Sequence, residues 1–316
     1  MEAAVLEIQG LTKRCHGRSF LKIPELTIRQ GEFCALIGEN GAGKSTLIEL
    51  IVGLRHASSG TISLFGSTVV QSGRARIGYM PDQCSAWLNL SAFDNLDVRC
   101  DEWGLKEKGR IGVILDLVGL ADTGSLPAGR FSLGMKRRLD LAVALLGDPE
   151  LLILDEPVNG LDPEGVVRIR EILKSLNQDR GKTLIVSSHN LAELERTANR
   201  FLVMSNGELL ASPTMEQIES SHQGNTIIET GDAGACARTL SNLDCVSEIE
   251  RISTDKIRVR GAIGGVPEIA RQLLDFNIRF SAIYKEKQTL ESYYRSLVGG
   301  ERYEGSDCIR AQEIAS

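Results

Sequence analysis

The sequence predicts an α/β fold in two unequal parts. Three short apolar runs, Phe33–Ile37 (FCALI), Leu151–Leu154 (LLIL) and Thr183–Ser187 (TLIVS), each lead into a polar or glycine-rich turn. Apolar runs of this length without polar alternation are the pattern of strands buried on both faces. Stretches of helical spacing lie between them. The alternation weakens across Ser212–Gly224, which is rich in Ser, Gln and Gly, and a smaller set of elements follows. The expected division is a large α/β domain at 1–220, a small α/β accessory unit at 221–299 and a flexible tail at 300–316.

Taken in order, the elements of the large part are these. The FCALI strand passes through a glycine-rich turn into a helix over Lys44–Leu54. Thr61–Leu64 and Ile77–Tyr79 read as short strands. Leu88–Val118 reads as mainly helical with interruptions, and Ser132–Leu146 as a helix with its apolar residues at helical spacing. The LLIL strand follows, then a helix opened by Pro163, because proline suits the first helical turn. The TLIVS strand comes next. In the small part, strands are expected at Asn225–Thr230, Val246–Ile252 and Lys256–Arg260. Helices are expected at Ala233–Leu243 and from Pro267 to Phe276, with one more strand and helix after them. A ferredoxin-like or similar module fits that order.

Composition narrows the function. Of 316 residues, 42% are apolar and 25% charged, the mixture of an ordinary globular protein. A net charge of −6 argues against a nucleic-acid partner, which calls for a basic surface. The seven cysteines, Cys15, Cys34, Cys84, Cys100, Cys236, Cys245 and Cys308, are irregularly spaced and form no CxxC pair. Free, mostly buried thiols in a reducing compartment are expected. No apolar run reaches the roughly 20 residues of a spanning helix. Leu141–Gly147 is apolar but is bracketed by Asp140 and Asp148, and the first residues do not read as a secretory signal. Any membrane role is therefore expected to go through a partner.

Two motifs carry chemistry. Gly38–Ser45 reads GENGAGKS between a strand and a helix. That is the pattern G-x-x-x-x-G-K-[ST], which cradles phosphates. Gly38, Gly41 and Gly43 let successive N–H groups turn inward around an anion, with Glu39, Asn40 and Ala42 completing the loop. The helix start adds its positive dipole end. Lys44 reaches the terminal phosphates, Ser45 offers a hydroxyl to Mg²⁺, and Thr46 adds a phosphate hydrogen bond. The second motif is LLILDE, an apolar strand that delivers two acids at the end where ligands bind in open α/β sheets. Asp155 is expected in the Mg²⁺ shell and Glu156 beside the attacking water. ATP and Mg²⁺ are the implied cofactors.

The stretch FSLGM, running through KRRLDLAVALLGDPELLILDEP, resembles the signature of the ABC (ATP-binding cassette) ATPases leading into their second acidic motif. The resemblance covers most of residues 5–211, with cradle, Gln83, signature, acids, Asp162 and His189 in the family's order. It implies a P-loop ABC-type nucleotide-binding domain with a mixed sheet core and a helical subdomain. It further implies that Gln83 touches Mg²⁺ and water, and that His189 contacts the γ-phosphate and holds Glu156. Ser132 and Gly134, within the signature Ser132, Leu133, Gly134 and Met135, would contact nucleotide held by a second chain. Asp162 would link the two sites across a head-to-tail homodimer or heterodimer. Two features depart from the family pattern. Cys15 stands where an adenine-stacking aromatic is usual, leaving His16 or Phe20 for that role, and the signature reads SLGMK rather than SGGQ.

FSLGM, ILDEPVNGLDPEG, SSHNLAELE and the closing TLESYY resemble the branch of bacitracin-resistance, lantibiotic-immunity, sodium and multidrug exporters. That implies a separate membrane permease and a place at the cytoplasmic face of the membrane. Trp87, Leu88 and Phe93 either receive the permease or belong to the core of the helical subdomain. The competing function is a non-transport ABC ATPase acting in assembly or regulation with a soluble partner.

Overall fold

The computed structural model describes residues 3–15, 18–68, 73–105, 109–220, 225–241, 246–260, 265–286, 289–298 and 308–309. The chain forms two compact units, Met1–Met215 and Glu216–Ser316.

The first unit contains β1 (Ala4–Cys15), β2 (Arg18–Arg29), β3 (Phe33–Ile37), α1 (Lys44–Val52), β4 (Ser59–Leu64) and β5 (Ile77–Met80). Then come α2 (Ala92–Trp103), α3 (Arg110–Val118), α4 (Leu133–Leu145), β6 (Leu151–Asp155), α5 (Pro163–Gln178), β7 (Thr183–Ser188), α6 (Leu191–Glu195), β8 (Arg200–Ser205) and β9 (Glu208–Ala211). Nine strands form one mixed sheet in the order β4-β1-β2-β9-β8-β3-β7-β6-β5. The run β8-β3-β7-β6-β5 is parallel throughout. β1 pairs antiparallel with both β2 and β4. Every residue of β3, β6 and β7 is buried, which explains their apolar runs, with Asp155, Thr183, Ser187 and Ser188 as buried polar residues at the ends of β6 and β7.

The twelve-residue strands β1 and β2 lie outside the expected elements. Pro24 interrupts β2, and its removal of a ladder donor reads in sequence as a strand breaker. The register runs from Gln9↔Glu25 to Leu11↔Ile23, so Gly10 lies opposite Pro24. Gly10 takes φ +57° there, a conformation open to glycine. On either side the alternation holds, and Ile8, Leu11, Ile23 and Ile28 are fully buried against α1 residues such as Leu47 and Ile51. Each such side chain contributes about 1.5–3 kcal/mol through burial.

The span Leu88–Val118 divides into α2 and α3, each closed by a left-handed glycine, Gly104 and Gly119. Ser91 caps α2 by accepting the Asp94 N–H. α4 is buried from Leu139 to Leu145 and encloses two charges, Arg137 and Asp140. Among the described residues, no helix is long and apolar enough to cross a membrane. Cys34, Cys100 and Cys236 are buried and Cys84 is exposed, and none of these four is in a disulfide.

After α7 (Met215–Ser220), the second unit runs β10 (Thr226–Thr230), α8 (Ala233–Ser241), β11 (Glu248–Arg251), β12 (Lys256–Arg260), α9 (Gly265–Asp275), β13 (Phe280–Lys285), α10 (Leu290–Val298) and β14 (Cys308–Ile309). α9 begins two residues before the expected Pro267, which sits in its first turn. Strand order β13-β10-β12-β11-β14, all antiparallel, gives β10–β13 the split β-α-β connectivity expected of a ferredoxin-like module. One sheet face packs Ile228, Ile257, Val259 and Ile249 with Cys236, Leu240, Ile269 and Leu273. Of the expected tail, only Cys308–Ile309 is described, paired with β11, and the rest lies outside the described residues.

Candidate functional site

Because β3, β7, β6 and β5 are adjacent and parallel, the segments that follow them emerge on one side of the sheet. The phosphate loop follows β3, His189 follows β7, Glu156 follows β6, and Pro81–Asp82 follows β5. One cavity of about 540 Å³ is lined from all four, and Lys44, Ser45, Asp82, Asp155, Glu156 and His189 carry its chemistry. Glu39, Asn40, Gly41, Gly43 and Thr46 line it as well, while Gly38 and Ala42 are buried behind it.

The loop must be glycine at two points. A Cβ on Gly38 would meet the Met204 carbonyl oxygen at 2.5 Å. Gly43 takes φ +100° and makes no side-chain cap for α1, leaving N–H groups of the first helical turn free of one. Buried Lys44 Nζ donates to the Gly38 carbonyl at 2.7 Å and the Glu39 carbonyl at 3.2 Å, so its charge already lies along the loop. Burial lowers the Lys44 pKa, while Glu156 and Asp155 work to raise it.

The acids are held by a residue that the sequence reading passed over. Ser187, fully buried at the end of β7, donates its hydroxyl to Asp155 Oδ1 at 2.5 Å and accepts the Glu156 N–H at 2.9 Å. Glu156 sits at φ +48°, a left-handed conformation that costs a non-glycine residue about 1–3 kcal/mol. That turn swings its carboxylate to His189, whose Nδ1 lies 2.9 Å from Glu156 Oε2. Its only sequence signal is a serine closing an apolar strand, which many proteins share.

Gln83 is placed differently from the expectation. It is exposed and outside the cavity lining, where its neighbour Asp82 stands instead. The physical cause is Arg137 on α4, which donates to Asp82 Oδ1 at 3.0 Å and to the Pro81 carbonyl at 3.3 Å and so sets the loop. Phe20, about half exposed, also lines the cavity, while His16 lies outside the described residues and nothing is described of the Cys15 side chain.

The donor set suits Mg²⁺. Ser45, Asp82, Asp155 and Glu156 offer only hard oxygen atoms. Among the described residues no cluster of three or more His, Cys, Asp or Glu could hold a metal by itself. Mg²⁺ is characteristically held by one or two carboxylates together with substrate phosphates and water.

A second cavity of about 640 Å³ shares no residue with the first. Ser132, Leu133 and Gly134 line it with Asp162, and Met135 lies beside it, half-buried. Ser132 caps α4 by accepting the Met135 N–H at 3.2 Å, and Asp162 caps α5 by accepting the Gly165 N–H at 3.0 Å. Leu88 and Phe93 are about half exposed, and Trp87 is partly buried beneath the Arg99 guanidinium. The two outer residues are thus available for docking rather than spent in the core.

A strand–cradle–helix with its lysine, two acids at the next strand end but one, and a histidine on the second acid define a P-loop nucleoside-triphosphatase. The profile of the family described as ABC transporter matches residues 21–159. The bacitracin transport ATP-binding protein BcrA of Bacillus licheniformis is 30% identical over 94% of this chain and 98% of its own. An uncharacterized ABC transporter ATP-binding protein, YcbN of Bacillus subtilis (strain 168), is 32% identical over 94% and 97%. The lantibiotic transport ATP-binding protein SrtF of Streptococcus pyogenes is 37% identical over 71% and 94%. A solved ATP binding subunit of an ABC transporter superposes with TM-score 0.61 at 31% identity, covering 69% of this chain and 92% of that one. The chain belongs to the ABC transporter family as an ATP-binding subunit that hydrolyses ATP in transport. These relatives do not favour the non-transport alternative.

Proposed function

We propose that this chain is the ATPase subunit of an exporter, working at the cytoplasmic face of a membrane through a separate permease. The carrying observation is the convergence of four parallel strand ends on one cavity, with Lys44, the paired acids and His189 in it. Residues 1–220 are assigned as the ATPase domain, 221–299 as an accessory domain and 300–316 as a tail.

In this reading the phosphate-loop amides, Lys44 and Thr46 hold the nucleotide's phosphates, and Phe20 stands in for the adenine-stacking aromatic. When bound, Mg²⁺ neutralises phosphate charge, and Ser45, Asp155 and Asp82 are the residues that would hold it, Asp82 taking the part expected of Gln83. Glu156 polarises the attacking water, and His189 keeps that carboxylate oriented. Ser187 holds both acids in place. The signature cavity, with Ser132, Gly134 and Asp162, serves the nucleotide of a second copy, so two chains meet head to tail. Leu88 and Phe93 receive the permease. The relatives named for bacitracin and lantibiotic transport point to an antimicrobial peptide, with drugs and ions as further cargo classes.

The test compares purified wild type with two variants. Glu156→Gln should keep ATP binding, abolish turnover and run as an ATP-dependent dimer in gel filtration, while Lys44→Ala should lose binding. Unchanged phosphate release by Glu156→Gln would remove it from the catalytic role. Tagged Glu156→Gln, incubated with Mg·ATP in solubilised host membranes, should retain a polytopic membrane protein. Recovery of soluble partners alone would overturn the export reading.

A further inference from the structure

The loop between β5 and α2 is held by residues of two helices. Asp140 on α4 accepts from the Ser85 N–H at 2.8 Å and the Ser85 hydroxyl at 3.0 Å. Asn95 on α2 accepts the Trp87 N–H at 2.7 Å and donates to the Trp87 carbonyl at 3.0 Å. Arg99 on α2 donates to the Ser85 carbonyl at 3.3 Å and covers the Trp87 ring. Arg137 on α4 takes the near end, Pro81 and Asp82. The loop therefore rides with α2 and α4.

α4 has a second attachment. Its N-cap is Ser132, at the mouth of the signature cavity, and Arg137 follows less than one and a half turns later. A single helix thus carries one side chain that lines the signature cavity and another that grips an acid lining the phosphate cavity. Arg137 is 6% exposed, and the Asp82 side chain it holds is about half exposed in the phosphate cavity. A carboxylate paired with guanidinium cannot give its full charge to a metal at the same time. The grip is also short of its hydrogen-bond optimum. Arg137 Nε and Asp140 Oδ2 are both buried without a partner among the described residues. Such unmet groups are where a second arrangement has something to gain.

We propose that Arg137 is a positioning residue that sets how far the Asp82 carboxylate is given to the metal in the chain's own phosphate cavity. Engagement of Ser132 by a second copy shifts α4, loosens the Arg137–Asp82 pair and releases the carboxylate toward the metal. The pair is the physical link by which occupation of one site is reported to the other. This rests on reading the cavity as the Mg·ATP site.

The test is Mn²⁺ binding to the full chain with a non-hydrolysable ATP analogue, followed by electron paramagnetic resonance, in a double-mutant cycle. Arg137→Met should tighten Mn²⁺ binding roughly three- to tenfold, the span expected for releasing one charge pair of this exposure. Asp82→Asn should weaken binding, and adding Arg137→Met to it should change nothing further. In turnover, Arg137→Met should lower kcat with KM for ATP within about twofold, because the metal's setting and not nucleotide capture is altered. Equal Arg137→Met effects with and without Asp82→Asn, or no effect in either, would overturn the proposal. Should Arg137→Met fail to fold, Arg137→Lys, which keeps the charge on a shorter and non-bidentate group, runs the same cycle with a smaller coupling of the same sign. Failure of the wild type to bind Mn²⁺ with the analogue would count against the ATP-site reading itself. Wild-type binding without coupling overturns only the role of Arg137.

Discussion

Replacing Ser187 with alanine removes one hydroxyl and disturbs both acids. The hydroxyl has no solvent exposure, donates to the buried Asp155 carboxylate at 2.5 Å and accepts the Glu156 N–H at 2.9 Å. A hydrogen bond to a charged group contributes about 1.5–3 kcal/mol, and leaving a partly buried N–H unmet costs about 1 kcal/mol more. The expected loss for Ser187→Ala is thus about 3 kcal/mol. Both tryptophans, Trp87 and Trp103, lie in the first unit, so urea unfolding followed by their fluorescence reports on that unit. The same bond anchors Glu156 at φ +48°, and its loss lets the carboxylate proposed to polarise water drift. A displacement near 1 Å lowers turnover on the order of 10²-fold. Ser187→Cys, similar in size but a weak donor, should fall between the two. Stability within about 0.5 kcal/mol of wild type together with kcat within about twofold would refute the argument that this serine positions the acids.

The remaining predictions concern charge and the loop after β5. Arg110 and then Lys182 hold the Asp148 carboxyl down to about 2, so its contribution is complete above the ordinary aspartate range and fades as pH falls toward 2. Asp148→Asn, suited to the same φ of +50°, should cost about 0.5–1 kcal/mol at neutral pH, the modest value reflecting a half-exposed carboxylate, and only a small fraction of that at pH 2. An equal deficit at both pH values in urea titrations would exclude the charge as its source. Asn95→Leu keeps most of the volume but leaves the Trp87 N–H without its partner, and should cost about 2–3 kcal/mol and alter Trp87 fluorescence. A Leu variant as stable as wild type would mean that Arg99 and α4 hold the loop without Asn95.

How legible these features were follows from how local their signals are. β3, β6 and β7 are buried on both faces, so runs of three to five consecutive apolar residues announce each of them without reference to partners. β1 and β2 have one polar face, and they carry Gly10 and Pro24 at the same rung, which sequence rules count as breakers. The cradle is contiguous, and its spacing alone implies its geometry. Asp82 and Ser187 belong to the site only because β5 and β7 flank β6 in the sheet, a relation between residues 31 or more positions away from their partners. The expectation for Gln83 comes from the family resemblance, which implies a glutamine in this loop. Its neighbour Asp82 is the one that lines the cavity, in a turn gripped by Arg137 some 55 residues later.

Ser132 raises a question of valence that the geometry answers. Its oxygen accepts the Met135 N–H to cap α4, yet the proposed function asks it to contact a phosphate held by another chain. A hydroxyl has two acceptor positions and one donor, so it can keep the cap and turn its O–H toward a phosphate oxygen. The two duties are separable by substitution. An aspartate caps equally well but brings negative charge to the phosphate. Ser132→Asp should therefore keep stability within about 0.5 kcal/mol of wild type, since the cap is retained and the site is exposed. In a Glu156→Gln background it should abolish the ATP-dependent dimer while leaving nucleotide bound to the chain's own cradle. Ser132→Ala should lose about 1 kcal/mol of stability with the cap, and weaken the dimer without repelling it. A dimer that forms with Ser132→Asp as readily as with serine would mean that the signature cavity does not face a phosphate. The head-to-tail arrangement would then have to be given up, with the chain's own cradle left standing.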